Sequence, residues 1–97
     1  FRSPIHVLAA ARFIWELLAR GIGGLIHVAG RDRVSRWELG LAIARRLGLA
    51  TALLRRASLK EFTGRPPRPP DLTLDTSRLA ALLGRPAPSL GESLALL

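Results

Sequence analysis

The chain contains no cysteine, no methionine and no tyrosine, only two histidines, and one lysine among its fifteen basic residues. Without cysteine there is neither a disulfide framework nor a thiolate zinc site, and His6 and His27, isolated from each other, do not make a tetrahedral metal site. Metal and thiol chemistry are therefore not expected. Long hydrophobic runs are missing too: charge or glycine interrupts every apolar stretch well before the roughly 20 residues that a membrane-spanning helix needs. No basic-then-apolar leader opens the chain. These features lead us to expect a soluble, cytoplasmic protein with no membrane partner. Because the sequence begins at Phe1 rather than at methionine, we expect part of a longer protein.

What is present suits a packed domain. Hydrophobic residues make up 48% of the 97 positions, too many for a disordered tail, and the length is that of one domain or a portion of one. The net charge of +8 raises the question of nucleic acid, since basic residues that neutralise phosphates supply most non-specific affinity. Fourteen of the fifteen basic residues are arginine, however, and they are scattered along the whole chain. Scattered arginine with abundant leucine and alanine reads as the bias of a GC-rich, for example thermophilic, coding sequence. No nucleic-acid partner is expected.

Along the chain, residues 5 to 20 carry apolar side chains over most of a helical wheel, with Arg12, Glu16 and Arg20 as one charged stripe at a spacing of four. This pattern predicts a helix sandwiched between two layers, ended by the glycines of "RGIGG". "LIHVAG", residues 25 to 30, is short, branched and nearly uncharged, which predicts a strand buried on both faces. Ser35 and Glu38 then form a Ser-x-x-Glu capping box with Val34 and Leu39 as its staple. The helix so begun should bury Leu39, Ala42, Ile43 and Leu47 and stop at Gly48. Residues 52 to 58 suggest a second short strand and 58 to 62 a helical turn. Asp75 or Thr76 should cap a helix ending at Gly84, and Ser89 with Glu92 a final one. Helix, strand, helix suggests a parallel sheet with helices on its faces. One or two strands cannot pair all their own backbone groups, so the neighbouring strands must come from elsewhere.

Few residues carry an obvious chemistry. "GIGG" lies between helix and strand, the reverse of the strand-glycine-helix order of a phosphate loop, and reads as a cap and turn. The correct order occurs once, in "HVAGRDRVSRWE", but with a single glycine, Gly30, so a structural connection is the simpler reading. His6 and His27, flanked by apolar residues, are expected in the core or a pocket wall. No Gly-x-Ser-x-Gly nucleophile motif is present. "GRPPRPPD", residues 64 to 71, is the unusual stretch: Arg65 and Arg68 sit on a stiff proline-rich tether, for which a solvated loop between two packed pieces is the simpler reading.

Three segments in order carry a resemblance. "IHVLAAA" (5 to 11) is similar to a His-Val-x-Asp-Leu-Ala segment. "GLIHVAGRDRVSRWELGLAIARRLGL" (24 to 49) is similar to a late strand, capped turn and helix. "RPPDLTLDTSRLAALLGRPAPSLGESL" (68 to 94) is similar to a closing Arg-Pro-x-Asp, Leu-Asp-Thr-Ser-Lys/Arg-Leu and Pro-x-x-Ser-Leu series. Together they resemble the C-terminal, substrate-binding portion of extended short-chain dehydrogenase/reductases, nearest to dTDP-4-dehydrorhamnose reductases and the wider NAD-dependent epimerase/dehydratase group. The resemblance covers essentially all 97 residues. It implies an α/β fold, the C-terminal part of a Rossmann-type enzyme, mostly helical with one or two parallel strands. Residues 1–97 would form the substrate-binding region, and the N-terminal dinucleotide-binding domain would lie outside the chain.

The same resemblance implies an NAD(P)-dependent nucleotide-sugar reductase as the parent, with NAD(P) held by the N-terminal Rossmann domain and not by this segment. The partners would be a nucleotide-sugar substrate and that domain, with a homodimer open. Arg68 would contact the diphosphate and Asp71 the ribose; Arg65 and Arg2 would be further substrate contacts. Leu8 and Ala9 stand where the family usually has aspartates, and Pro4 where many members have an aromatic residue. The family's Tyr-x-x-x-Lys pair is absent, and a chain with no tyrosine cannot supply that proton donor. An epimerase or dehydratase of the same superfamily, or a non-catalytic regulatory subunit with this fold, are the alternatives.

Overall fold

The structure is a computed structural model that describes residues 1–56 and 69–97. The first helix, α1 (Val7–Ala19), starts where the Nδ1 of His6 accepts the backbone N–H of Leu8, 3.1 Å away. His6 is therefore a helix cap rather than a core histidine. The helix stops as the glycines predict. Gly21 takes a left-handed φ of 66°, its N–H donates to Leu18 O, and the N–H of Ile22 donates to Leu17 O. This is a Schellman closure, and its apolar clasp, Ile22 near Leu17, belongs to the core.

That core lies between α1 and α3 (Ser77–Leu83). Phe13 and Leu17 of α1 meet Leu79 and Leu83 of α3, with Ala87 beyond them and Ile5, Ile22, Ile26 and Val28 packed at the rim. Leu79 is wholly inaccessible to solvent. Gly84 ends α3 in the left-handed region, as expected, and the cap oxygen at its start comes from Asp75, whose Oδ1 accepts the Ser77 N–H at 2.8 Å.

The second helix, α2 (Arg36–Leu47), has the full capping box: Ser35 Oγ accepts the Glu38 N–H, and Glu38 Oε1 accepts the Ser35 N–H. Gly48 closes it at a φ of 70°. Its expected buried face holds only in part, because Ala44 is the buried residue while Leu47 is exposed. The helix packs on α4 (Leu90–Leu94) near their ends, where Arg46 donates to the carbonyls of Leu94, Ala95 and Leu97 and so occupies the terminal acceptors. As predicted, α4 is capped by Ser89 through the Glu92 N–H.

Two expectations fail, for one reason. No strand forms among the described residues; the sole bridge is an isolated antiparallel one between Arg2 and Val34. Residues 26–29 make no backbone-backbone hydrogen bond among the described residues, and the flanking groups are taken elsewhere, Leu25 O by the guanidinium of Arg78 and Gly30 N–H by Ser3 O. Ile26 and Val28 still pack on the core, whereas Leu25 and His27 point outward and are exposed. The segment keeps a strand's two-faced alternation without a neighbour to pair with. His27 is thus a surface residue and not a core one. The suggested second strand is instead a 3₁₀ turn over Thr51–Leu53 followed by irregular chain, as far as it is described. The helical turn suggested for 58 to 62 lies outside the described residues.

Likewise α1 is covered on one side only. Ala9, Phe13 and Leu17 are buried, while Val7, Leu8, Ile14, Trp15 and Leu18 face solvent, Trp15 and Val7 each at 73%. The sandwich predicted for α1 has only one of its two slices. The molecule is correspondingly thin, with extents of 45 × 34 × 16 Å, and its least dimension little exceeds the roughly 10–12 Å of one helix. No helix among the described residues is long and apolar enough to cross a membrane.

Candidate functional site

Three stretches far apart in sequence meet at one edge of the slab: residues 1–3, the turn 30–35, and residues 69–74. The first is laid against the second by paired backbone hydrogen bonds between Arg2 and Val34, 2.8 and 3.0 Å long. It is laid against the third by the Phe1 backbone nitrogen donating to Pro70 O, by Leu72 N–H donating to Phe1 O, and by Leu74 N–H donating to Ser3 Oγ. Val34 is buried beneath the junction.

Asp71 organises this edge. Its Oδ1 accepts both the backbone N–H and the hydroxyl of Thr73, at 3.0 and 2.7 Å, and its Oδ2 accepts Arg33 Nε at 3.0 Å. The Thr73 N–H, then its hydroxyl, then the Arg33 guanidinium hold the Asp71 carboxyl down at about 2, from an ordinary 3.8. The guanidinium of Arg33 in turn lies 3.5 Å from the centroid of the Phe1 ring, a cation-π contact that fixes its plane. The guanidinium of Arg2, half-buried, has no hydrogen-bond or ion-pair partner among the described residues.

Of the four residues expected to bind substrate, Arg2 and Asp71 are therefore brought to the same edge. Arg65 and Arg68 lie outside the described residues, and Pro69 and Pro70, which follow them in sequence, are exposed at its mouth. Sequence reasoning did not select Arg33. Its signal was the strand-glycine-helix order of "HVAGRDRVS", two residues before the helix cap, where ligands of open α/β folds gather.

The family whose model is described as the RmlD substrate binding domain matches residues 1–97. The chain belongs to this family. No curated protein and no solved structure matches it. The resemblance to the substrate-binding portion of dTDP-4-dehydrorhamnose reductases is thereby borne out.

RmlD-type enzymes are associated with NAD(P), but the described residues of this domain do not fit a dinucleotide. Gly30 is the one glycine in strand-loop-helix order, and it is needed for packing: a Cβ there would lie 2.0 Å from Pro4 O. The start of α2 is already filled, since Glu38 brings its own carboxylate to the position a phosphate would take. What this RmlD domain does offer is a cationic edge with Arg2 and Arg33 around a carboxylate that is ionised throughout the physiological range.

Proposed function

We propose that the chain is the substrate-side portion of an NAD(P)-dependent nucleotide-sugar reductase and that the edge formed by residues 1–3, 30–35 and 69–74 holds the nucleotide diphosphate. The observation that carries this reading is the convergence of Arg2, Arg33 and Asp71 at the point where the proline-rich segment bearing Arg65 and Arg68 joins the domain. In this reading Arg68 forks onto the diphosphate, with Arg65 and Arg2 adding charge. Asp71 holds Arg33 and Thr73 in place and keeps unused lone pairs for a ribose hydroxyl.

Residues 1–97 serve as one substrate-binding region, and the dinucleotide-binding domain completes it. The unpaired backbone of 26–29 and the uncovered face of α1 support this arrangement: each is half of a contact whose other half is a parallel sheet. Hydride transfer and its proton donor belong to that second domain, because this chain holds no tyrosine. The family match favours the reductase over an epimerase or dehydratase.

The test is calorimetric titration of the full-length protein with dTDP-glucose. Arg68→Ala is expected to weaken binding by about tenfold or more, the usual loss for a hydrogen bond to a charged group, with Arg2→Ala smaller in effect. Equal affinity in wild type and Arg68→Ala would remove the diphosphate role from this segment.

A further inference from the structure

Away from that edge, α1, the turn and the C-terminal segment enclose an open cleft of about 420 Å³, lined by Arg12, Phe13, Arg31, Arg85, Glu92 and Leu96 among others. Its volume lies in the range of small-molecule sites. Its charge is unbalanced. Both oxygens of the Glu16 carboxylate are engaged, one by Arg20 at 2.8 Å and the other by Arg85. Arg12, one turn before Glu16, is left without a hydrogen-bond or ion-pair partner among the described residues. Arg31 reaches Glu92 only at 3.3 Å, through an oxygen that also accepts the Ser89 hydroxyl, and both side chains are exposed. Such a pair is weak and easily exchanged. The lining thus carries two positive charges in excess, Arg12, Arg31 and Arg85 against Glu92, and adding the neighbouring Glu16 and Arg20 leaves that excess unchanged. Beside the cations lies an apolar floor of Pro86 and Leu96, while the buried Phe13 ring is covered by Arg85 at 4.6 Å.

We propose that this cleft is a second, separate ligand site, which takes a phosphate monoester bearing an apolar or aromatic body. A phosphate monoester carries about −1.5 to −2 at neutral pH, which matches the excess, and its oxygens suit the guanidinium forks of Arg12 and Arg31. The body rests on Pro86 and Leu96. Glu92 competes with the phosphate for Arg31. The site is independent of the proposed nucleotide edge, which uses Arg33 from the same turn.

The full-length protein is titrated with phenyl phosphate, with inorganic phosphate and phenol as its two halves. Saturable binding of phenyl phosphate is expected, tighter than either half. Arg12→Gln and Arg31→Gln should each weaken it by about tenfold, as for loss of a charged hydrogen bond. Glu92→Gln should tighten it several-fold, and Arg33→Gln should leave it unchanged; thermal unfolding of each variant checks the fold. The proposal is overturned by absence of saturable binding, or by binding that survives both arginine substitutions. Inorganic phosphate binding as tightly as phenyl phosphate overturns the role of the apolar floor. Displacement by dTDP-glucose with loss of both ligands in Arg12→Gln makes the cleft part of the substrate site and overturns its separateness. None of these outcomes alters the Arg68→Ala comparison, so the two readings fail independently.

Discussion

At the scale of single residues, Asp71 and Gly30 show how much one position can decide. The folded-state carboxyl of Asp71 titrates at about 2, below its ordinary 3.8. Its contacts therefore add stability at pH above about 4, and that stability is lost as pH falls toward 2. Followed by carboxyl carbon chemical shifts, Thr73→Val and Arg33→Gln should each raise the titration midpoint, Thr73→Val by removing the hydroxyl donor while the backbone N–H, the leading contribution, stays. An unchanged midpoint in Thr73→Val would leave the backbone N–H and Arg33 as the groups that hold the carboxyl down. Gly30 is a matter of space. With Pro4 O 2.0 Å from any Cβ, Gly30→Ala must push the 1–4 segment off the turn. A loss on the order of 2 kcal/mol or more is expected in urea denaturation, together with weakened nucleotide-sugar binding, because Arg2 rides on that segment.

Local signals predicted the helical elements well where they were chemical rather than merely hydrophobic. The Ser35–Glu38 box, the Ser89 cap and the stops at Gly48 and Gly84 stand where the sequence put them, because each is closed by atoms within four or five residues. Ser35→Ala should cost about 1 kcal/mol, measured as a shift in unfolding midpoint with an unchanged denaturant slope; a neutral result would mean that α4 and Arg46, rather than the cap, hold α2. Hydrophobic pattern alone misled at His6, His27 and Leu47. An apolar neighbourhood in sequence does not say which face will find a partner, and at these positions the partner on that face is solvent or a backbone amide.

On the scale of the whole molecule, the proposed arrangement makes the slab one layer of a larger design. Residues 26–29 present unpaired backbone groups, and α1 presents Val7, Ile14, Trp15 and Leu18 to solvent. In the full-length protein, amides 26–29 are expected to exchange slowly with deuterium, as members of a sheet. Fast exchange there would exclude the proposed packing of a dinucleotide-binding domain against this face.

The sequence by itself determined the second, third and fourth helices with their caps and stops, the glycine stop of the first, the exclusion of cysteine-based sites, and the family. All of these depend on local chemistry or on ordered motifs, which need no knowledge of where distant residues lie. Only the tertiary structure decided that Arg33 clamps Asp71, that Arg2 stands at the same edge without a hydrogen-bond or ion-pair partner among the described residues, and that Arg12 and Arg31 share a cleft with Arg85. Those groupings join residues 19 to 73 positions apart, and they arise from how α1, the turn and the C-terminal segment pack, a geometry that no spacing along the chain encodes.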